Sequence, residues 1–145
     1  FLESYTWWIR RKLDLNAMQR GLACLVGEHD FKAFQGQGGK VVGTTVRTLY
    51  EATITKEPIV FPGGIETWAD QERGHLLRLR LVGSGFLKQM VRGIAGTLLQ
   101  VGDGRRPPEC FREILESQNR RSVGPTAPGK GLWLEWVEYP SVFDI

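Results

Sequence analysis

The sequence predicts an α+β domain: a mostly antiparallel β-sheet with helices packed on one face. Three observations carry this. Across His75–Val82, Leu77, Leu79 and Leu81 alternate with Arg78 and Arg80, the period-two pattern of a half-buried strand with a basic outer face. Over Phe86–Gln100, the residues Phe86, Leu87, Met90, Val91, Ile94 and Leu98 fall on one side at helical spacing, which marks a central helix. Strands and helices then follow one another without the alternating rhythm of a parallel sheet.

The remaining elements follow in order. Phe1–Lys12, with Trp7, Trp8, Arg10, Arg11 and Lys12, reads as an arm leading in from something upstream. Asp14 is placed to cap a helix over Leu15–Val26, where Leu15, Met18, Leu22 and Leu25 repeat at helical spacing and Gly27 fits the stop. Gly27-Glu28-His29-Asp30-Phe31 and Phe34 come next, then a loose loop over Gly36–Lys40. Thr44–Thr55 is rich in β-branched residues and reads as a strand. Ile59–Phe61 and Ile65–Trp68 flank a turn at Pro62-Gly63-Gly64, as in a hairpin or bent strand. Gly102, Asp103 and Gly104 end the central helix, and Pro107 or Pro108 opens a short helix carrying Phe111, Ile114 and Leu115. The loop Arg120–Lys130 leads to a last strand, Leu132–Tyr139. No stretch resembles a linker, so residues 1–145 are expected to form one domain.

Composition narrows the class. With 41% hydrophobic and 24% charged residues, the 145-residue chain has the balance of a soluble globular domain, for which a core of useful size is possible without disulfides or metal. Cys24 and Cys110 lie in apolar, helix-like stretches and read as small core residues, which fits a reducing compartment. No apolar run approaches the roughly 18 residues of a membrane span. Phe1–Lys12 lacks the apolar block of a signal peptide, and the expected location is cytoplasmic. The net charge of +3 is compatible with a nucleic-acid partner but does not select one.

Three segments carry a more specific signal. The first is Gly27-Glu28-His29-Asp30-Phe31 with Phe34. The second is Gly83-Ser84-Gly85-Phe86-Leu87-Lys88-Gln89-Met90-Val91-Arg92, continuing through Gly96, Leu98 and Gly102. The third is Thr126-Ala127-Pro128, then Gly131-Leu132-Trp133-Leu134, Val137 and Tyr139. In this order they resemble the C-terminal half of the tRNA pseudouridine synthase A family, over about Leu13 to Tyr139. The resemblance implies an isomerase that converts uridine to pseudouridine near positions 38 to 40 of the tRNA anticodon stem-loop. It implies no metal and no organic cofactor. The expected partners are tRNA, the N-terminal half of the same enzyme and a second copy in a homodimer, with no membrane.

The family's catalytic aspartate belongs to a Gly-Arg-Thr-Asp type motif in the N-terminal half. None of Asp14, Asp30, Asp70, Asp103 and Asp144 has that context, and the family's active-site tyrosine has no counterpart either. This chain alone is therefore expected to be inactive. Arg92 matches the family arginine that pairs with the aspartate. On a helical wheel it falls roughly opposite the apolar face, with Lys88, Gly85 and Gly96 nearby, and such glycines let another surface approach closely. Leu132 matches a leucine that walls the base pocket, although its alternation with Leu134 fits a strand core residue equally well. Arg78 and Arg80, joined by Arg47, Lys88, Arg105 and Arg106, form a candidate set for the RNA backbone. His29 and Cys24 fit no metal-ligand spacing, and His29-Asp30 reads as structural rather than catalytic, with Asp30 satisfying backbone N–H groups at a turn and Phe31 and Phe34 in the core. Two other readings stay open: a non-catalytic RNA-binding module, and an unrelated α+β interaction domain.

Overall fold

The computed structural model describes residues 6–7, 9–38, 43–57 and 76–139. Helix α1 (Leu15–Ala23) is followed by strands β1 (Gly27–Asp30), β2 (Val46–Glu57) and β3 (Leu76–Gly83), then helices α2 (Met90–Gly102) and α3 (Cys110–Ser117). Short 3-10 turns lie at Lys32–Phe34, Arg120–Ser122 and Gly129–Gly131. The strands form one antiparallel sheet in the order β1-β2-β3, so the α+β class holds. The strands expected at Ile59–Phe61 and Ile65–Trp68 lie outside the described residues.

Helix α1 begins where the sequence places it. The Asp14 carboxylate accepts a hydrogen bond from the Ala17 N–H at 3.1 Å, satisfying a donor that the first turn leaves without an intrahelical partner. The helix ends at Ala23, three residues short of the expected Val26, and Gly27 takes up φ +106°. A left-handed backbone of this kind suits glycine and reverses the chain into β1.

Strand β2 turns on a bulge. Leu49 and Ala52 are both buried, yet residues three apart on a regular strand face opposite sides of the sheet. The register slips between Leu49 and Glu51, two residues of β2 opposing one of β3, and Tyr50 is left 65% exposed. The bulge restores Ala52 and Ile54 to the core side, where they pair with Leu81 and Leu79 of β3. Arg78 and Arg80 face the other side, opposite Thr55 and Thr53, as the alternation predicts.

Strand β1 pairs with β2 only over Val46–Leu49, which leaves the farther part of that β2 edge open. Gln19 of α1 closes it. Its side-chain amide donates to Ala52 O at 3.1 Å and accepts from Ile54 N–H at 3.1 Å, standing in for a missing strand. Under the sheet the core gathers Met18, Leu22, Leu25, Phe31, Phe34, Met90, Ile94, Leu98, Phe111 and Ile114. The Phe34 and Phe111 rings stack with centroids 6.4 Å apart.

The Glu28–Phe34 stretch is structural, as expected. Asp30 accepts hydrogen bonds from Lys32 N–H and Thr45 Oγ1, His29 Nε2 contacts Val26 O at 3.0 Å, and Phe31 and Phe34 are fully buried. Cys110 is buried and its thiol is pushed up, chiefly by burial, which suits an inert core thiol. Cys24 is half-buried and only flanks the core.

Two sequence expectations are corrected. The central helix starts at Met90, not Phe86, because Gln89 adopts a left-handed conformation with φ 61° and breaks the spiral there. It also runs on to Gly102 rather than stopping at Gln100. The second correction concerns Leu132–Tyr139, which forms no strand among the described residues. It joins none of β1, β2 and β3, and Leu132, Trp133, Leu134, Trp136, Val137 and Tyr139 are exposed.

Replacing Gln19 by Leu keeps the packing volume but strands one donor and one acceptor of β2. We expect a loss of about 1–3 kcal/mol for each group that water does not reach, read from urea unfolding. An unchanged midpoint would show that solvent satisfies this edge.

Candidate functional site

The site is built where β3 hands the chain to α2. Ser84 locks to Thr48 by two hydrogen bonds: its N–H donates to Thr48 O at 2.9 Å and its hydroxyl accepts from Thr48 N–H at 3.0 Å. The Arg47 side chain passes close over Gly85, where an added Cβ would stand 3.5 Å from Nε. Farther on, Gly36 N–H donates to Lys88 O at 2.8 Å, and Lys88 Nζ donates to Gln37 O at 3.3 Å. The connection is thus fixed at both ends, and α2 starts with Arg92 in its first turn.

The helix face that carries Arg92 is covered by residues 124–127. Gly96 permits this, since a Cβ there would stand 1.5 Å from Pro125 O. Thr97 Oγ1 accepts from Gly124 N–H at 2.9 Å, and Ala127 N–H donates to Arg92 O at 3.0 Å. The Arg92 side chain answers the same residue, Nε donating to Ala127 O at 2.7 Å. Its two Nη groups make no protein hydrogen bond among the described residues. Arg92 is therefore half-buried and anchored, because the side of α2 opposite its apolar face is covered as well.

The same loop brings Leu132 close. A Cβ on Gly129 would stand 3.8 Å from the carbon of the Arg92 guanidinium, and Leu132 N–H closes the 3-10 turn onto Gly129 O at 3.0 Å. Leu132 is 50% exposed, which corrects the core-strand reading of this residue.

The basic residues divide by partner. Arg47 is half-buried and its Nη1 donates to Thr44 O and Val46 O, so it braces the strand. Arg106 reaches Ser122 O at 2.8 Å and braces the loop after α3. Arg78 is exposed and pairs with Glu57 at 3.2 Å. Arg80 meets Glu135 at 3.4 Å, an ionic contact in which its buried Nε makes no well-aligned hydrogen bond. That pair ties the extended 132–139 segment to the outer face of the sheet. Lys88 stays exposed beside the connection that leads into α2. Arg105 is bound by Asp103.

Asp103 ends α2 and gathers charge. It accepts from Arg105 Nε at 2.8 Å, from Arg105 N–H at 3.1 Å and from Arg11 Nη1 at 2.8 Å. The Arg105 hydrogen bond is the main reason its carboxyl is lowered from 3.8 to about 2, with desolvation opposing. Beside it lies an open cleft of about 440 Å³ whose lining among the described residues includes Trp7, Arg10, Arg11, Gly96, Arg105 and Pro125 and no carboxylate. Among the described residues no three His, Cys, Asp or Glu side chains gather as a metal site, and no helix is long and apolar enough to cross a membrane.

Sequence reasoning missed Arg120. Its Nη2 donates to Thr126 Oγ1 at 3.0 Å, while its Nη1 is buried with no hydrogen-bond partner. Neither periodicity nor charge distinguishes it from Arg121.

The tRNA pseudouridine synthase family profile matches residues 22–140. A tRNA pseudouridine synthase A from Thermus thermophilus is 40% identical over 133 residues, 92% of this chain and 47% of the relative. The one from Clostridium kluyveri is 38% identical, over 93% of this chain and 48% of its own length. The one from Anoxybacillus flavithermus is 40% identical over 96% of this chain and 50% of its own. The chain thus spans about half the length of the curated relatives it matches.

Two outcomes follow from this geometry. Gly96→Ala forces the Pro125 carbonyl off the helix and should destabilise the fold by about 1–3 kcal/mol or more, measured by urea unfolding. For Asp103 the folded carboxyl lies below its ordinary value, so its stabilisation is present above about pH 4 and is lost as pH falls toward 2. Asp103→Asn should flatten stability over that window in an acid titration followed by circular dichroism.

Proposed function

Because this chain belongs to the tRNA pseudouridine synthase family, we propose that it forms one wall of the cleft in which a tRNA uridine is isomerised to pseudouridine. The aspartate that attacks the nucleoside comes, in this reading, from the part of the protein outside the matched half. No aspartate of this chain stands in a Gly-Arg-Thr-Asp context, so the chain alone makes no pseudouridine. The target uridines lie in the anticodon stem-loop, near positions 38 to 40. The whole enzyme works as a cytoplasmic homodimer, without metal or organic cofactor.

One observation carries the reading. Arg92 is held by its Nε on Ala127 O, and both Nη groups remain free of protein acceptors among the described residues. A guanidinium fixed by one edge presents the other to a carboxylate through two parallel hydrogen bonds. That pairing keeps the carboxylate ionised and aimed. In the reaction the glycosidic bond breaks, the base turns, and a carbon of the ring rejoins the ribose. A uridine must leave the helical stack for this, and Leu132, half-exposed one short turn past Gly129, offers the extruded base an apolar wall. Exposed Arg78 and Lys88 contribute sequence-independent attraction to the RNA backbone once their weak contacts with Glu57 and Gln37 O are exchanged for phosphate, and Arg105 adds its charge while bound to Asp103.

The test is single-turnover pseudouridine formation by the full-length protein on unmodified tRNA. Arg92→Ala should lower the rate by on the order of 10²-fold or more, with tRNA binding less affected. Arg92→Lys keeps the charge without the two-pronged geometry and should recover activity in part. Loss of the bond to Ala127 O adds a stability loss of about 0.5–1.5 kcal/mol. Near-normal turnover in Arg92→Ala would overturn the proposed role, and a collapsed thermal melt would make Arg92 structural.

A further inference from the structure

The residues Thr126 and Ala127 are gripped from two directions. Arg92 of α2 holds Ala127 by a side-chain and a main-chain hydrogen bond, and Arg120 holds Thr126 Oγ1 through Nη2 at 3.0 Å. The Arg120 guanidinium lies across α2 at the residue after Arg92: an added Cβ on Gly93 would stand 3.5 Å from Nη1, 3.4 Å from Val123 Cγ1 and 3.6 Å from Phe34 Cδ1. The surroundings of Nη1 are thus partly apolar, and it has no hydrogen-bond partner. Burying a guanidinium group without an acceptor opposes folding. An arginine selected for stability alone would not be placed this way, whereas one that must reach Thr126 across a glycine would be.

We propose that Arg120 is a positioning residue for the isomerisation. It acts through Thr126 to set residues 125–129 on α2, and so sets the direction of the Arg92 guanidinium and the place of Leu132. This rests on the role given to Arg92 above. Thr126 is the relay, because its hydroxyl accepts from Arg120 while the next residue carries both bonds to Arg92. A shift of the Thr126 backbone moves the acceptor that anchors Arg92 Nε. Since positioned electrostatic groups lose effect steeply with displacement, a small movement has a large kinetic consequence.

The experiment uses the full-length protein, with single-turnover rates, tRNA binding and melting measured on the same variants. Arg120→Met preserves the length of the side chain among its apolar neighbours and removes the bond to Thr126. Its rate should fall by about tenfold, with its melting temperature within a few degrees of the parent. Thr126→Val should give the same fall and Thr126→Ser should restore the parent rate, because the hydroxyl returns. The two losses should not add, since Arg120→Met/Thr126→Val breaks one contact from both ends. In an Arg92→Lys background, where the guanidinium geometry is already lost, Arg120→Met should cost less than in the parent. A purely structural role predicts instead that rate and melting temperature fall together and that the Arg92→Lys background changes nothing. Normal rates in Arg120→Met and Thr126→Val, with Arg92→Ala still impaired, would overturn this proposal and leave the reading of Arg92 intact. Normal turnover in Arg92→Ala would overturn both.

Discussion

The backbone of residues 124–127 lies directly on helix α2, and that contact depends on a hydrogen atom at Gly96. With a carbonyl oxygen 1.5 Å from where any Cβ would stand, no other residue fits without moving the loop. The closeness lets Thr97 reach Gly124, lets Arg92 bond Ala127 at both side chain and main chain, and places Gly129 against the guanidinium. Arg92 on a freely solvated helix would sample many rotamers. Here its Nε is tied down, so the entropy of ordering it is already lost before any carboxylate arrives.

Charge is distributed in the same economical way. The excess of cations is small, and most basic side chains singled out for RNA already have an acidic or carbonyl partner within the chain. Two kinds of arginine result. Arg47 and Arg106 donate to main-chain oxygens and act as braces. Arg78, Arg80 and Arg105 face carboxylates of Glu57, Glu135 and Asp103. The exposed Arg78–Glu57 pair is weak enough to be exchanged for phosphate, while the braces and the tie of Arg105 to the shielded Asp103 carboxylate are not. A basic surface read from counts alone therefore overstates the number of groups available to a polyanion.

How much of this was legible in the sequence depended on range. Helix α1 was legible because Asp14 and the spacing of Met18 and Leu22 act within a few residues of each other. Strand β3 was legible because Leu79 and Leu81 answer only to the pleat. The start of α2 was set too early because Phe86 and Leu87 continue the apolar stripe, while the left-handed backbone at Gln89 interrupts the helix where its side chain packs against Gly36, far away in the chain. The apolar alternation of Leu132 and Leu134 was misread as core for a related reason: a strand needs a neighbour, and alternation does not say whether one is at hand. The motif around Met90-Val91-Arg92 drew attention to this helix, and Gly96 does admit a close surface, as its size led one to expect. Arg120 had no local signal, because what distinguishes it is a contact between a loop and a helix.

The extended segment after Gly131 also bears on the colloidal behaviour of the molecule. Leu132-Trp133-Leu134-Glu135-Trp136-Val137 combines high β-propensity, large apolar side chains and one charge, and that charge is engaged with Arg80. A ribbon of this composition that joins none of β1, β2 and β3 is a surface on which another extended chain can pair. Solubility therefore depends in part on how the 132–139 region is held. Glu135 acts there as a gatekeeper in the sense used for aggregation-prone strands: it interrupts the apolar run, and its tie to the sheet holds the ribbon against its own molecule instead of a neighbour.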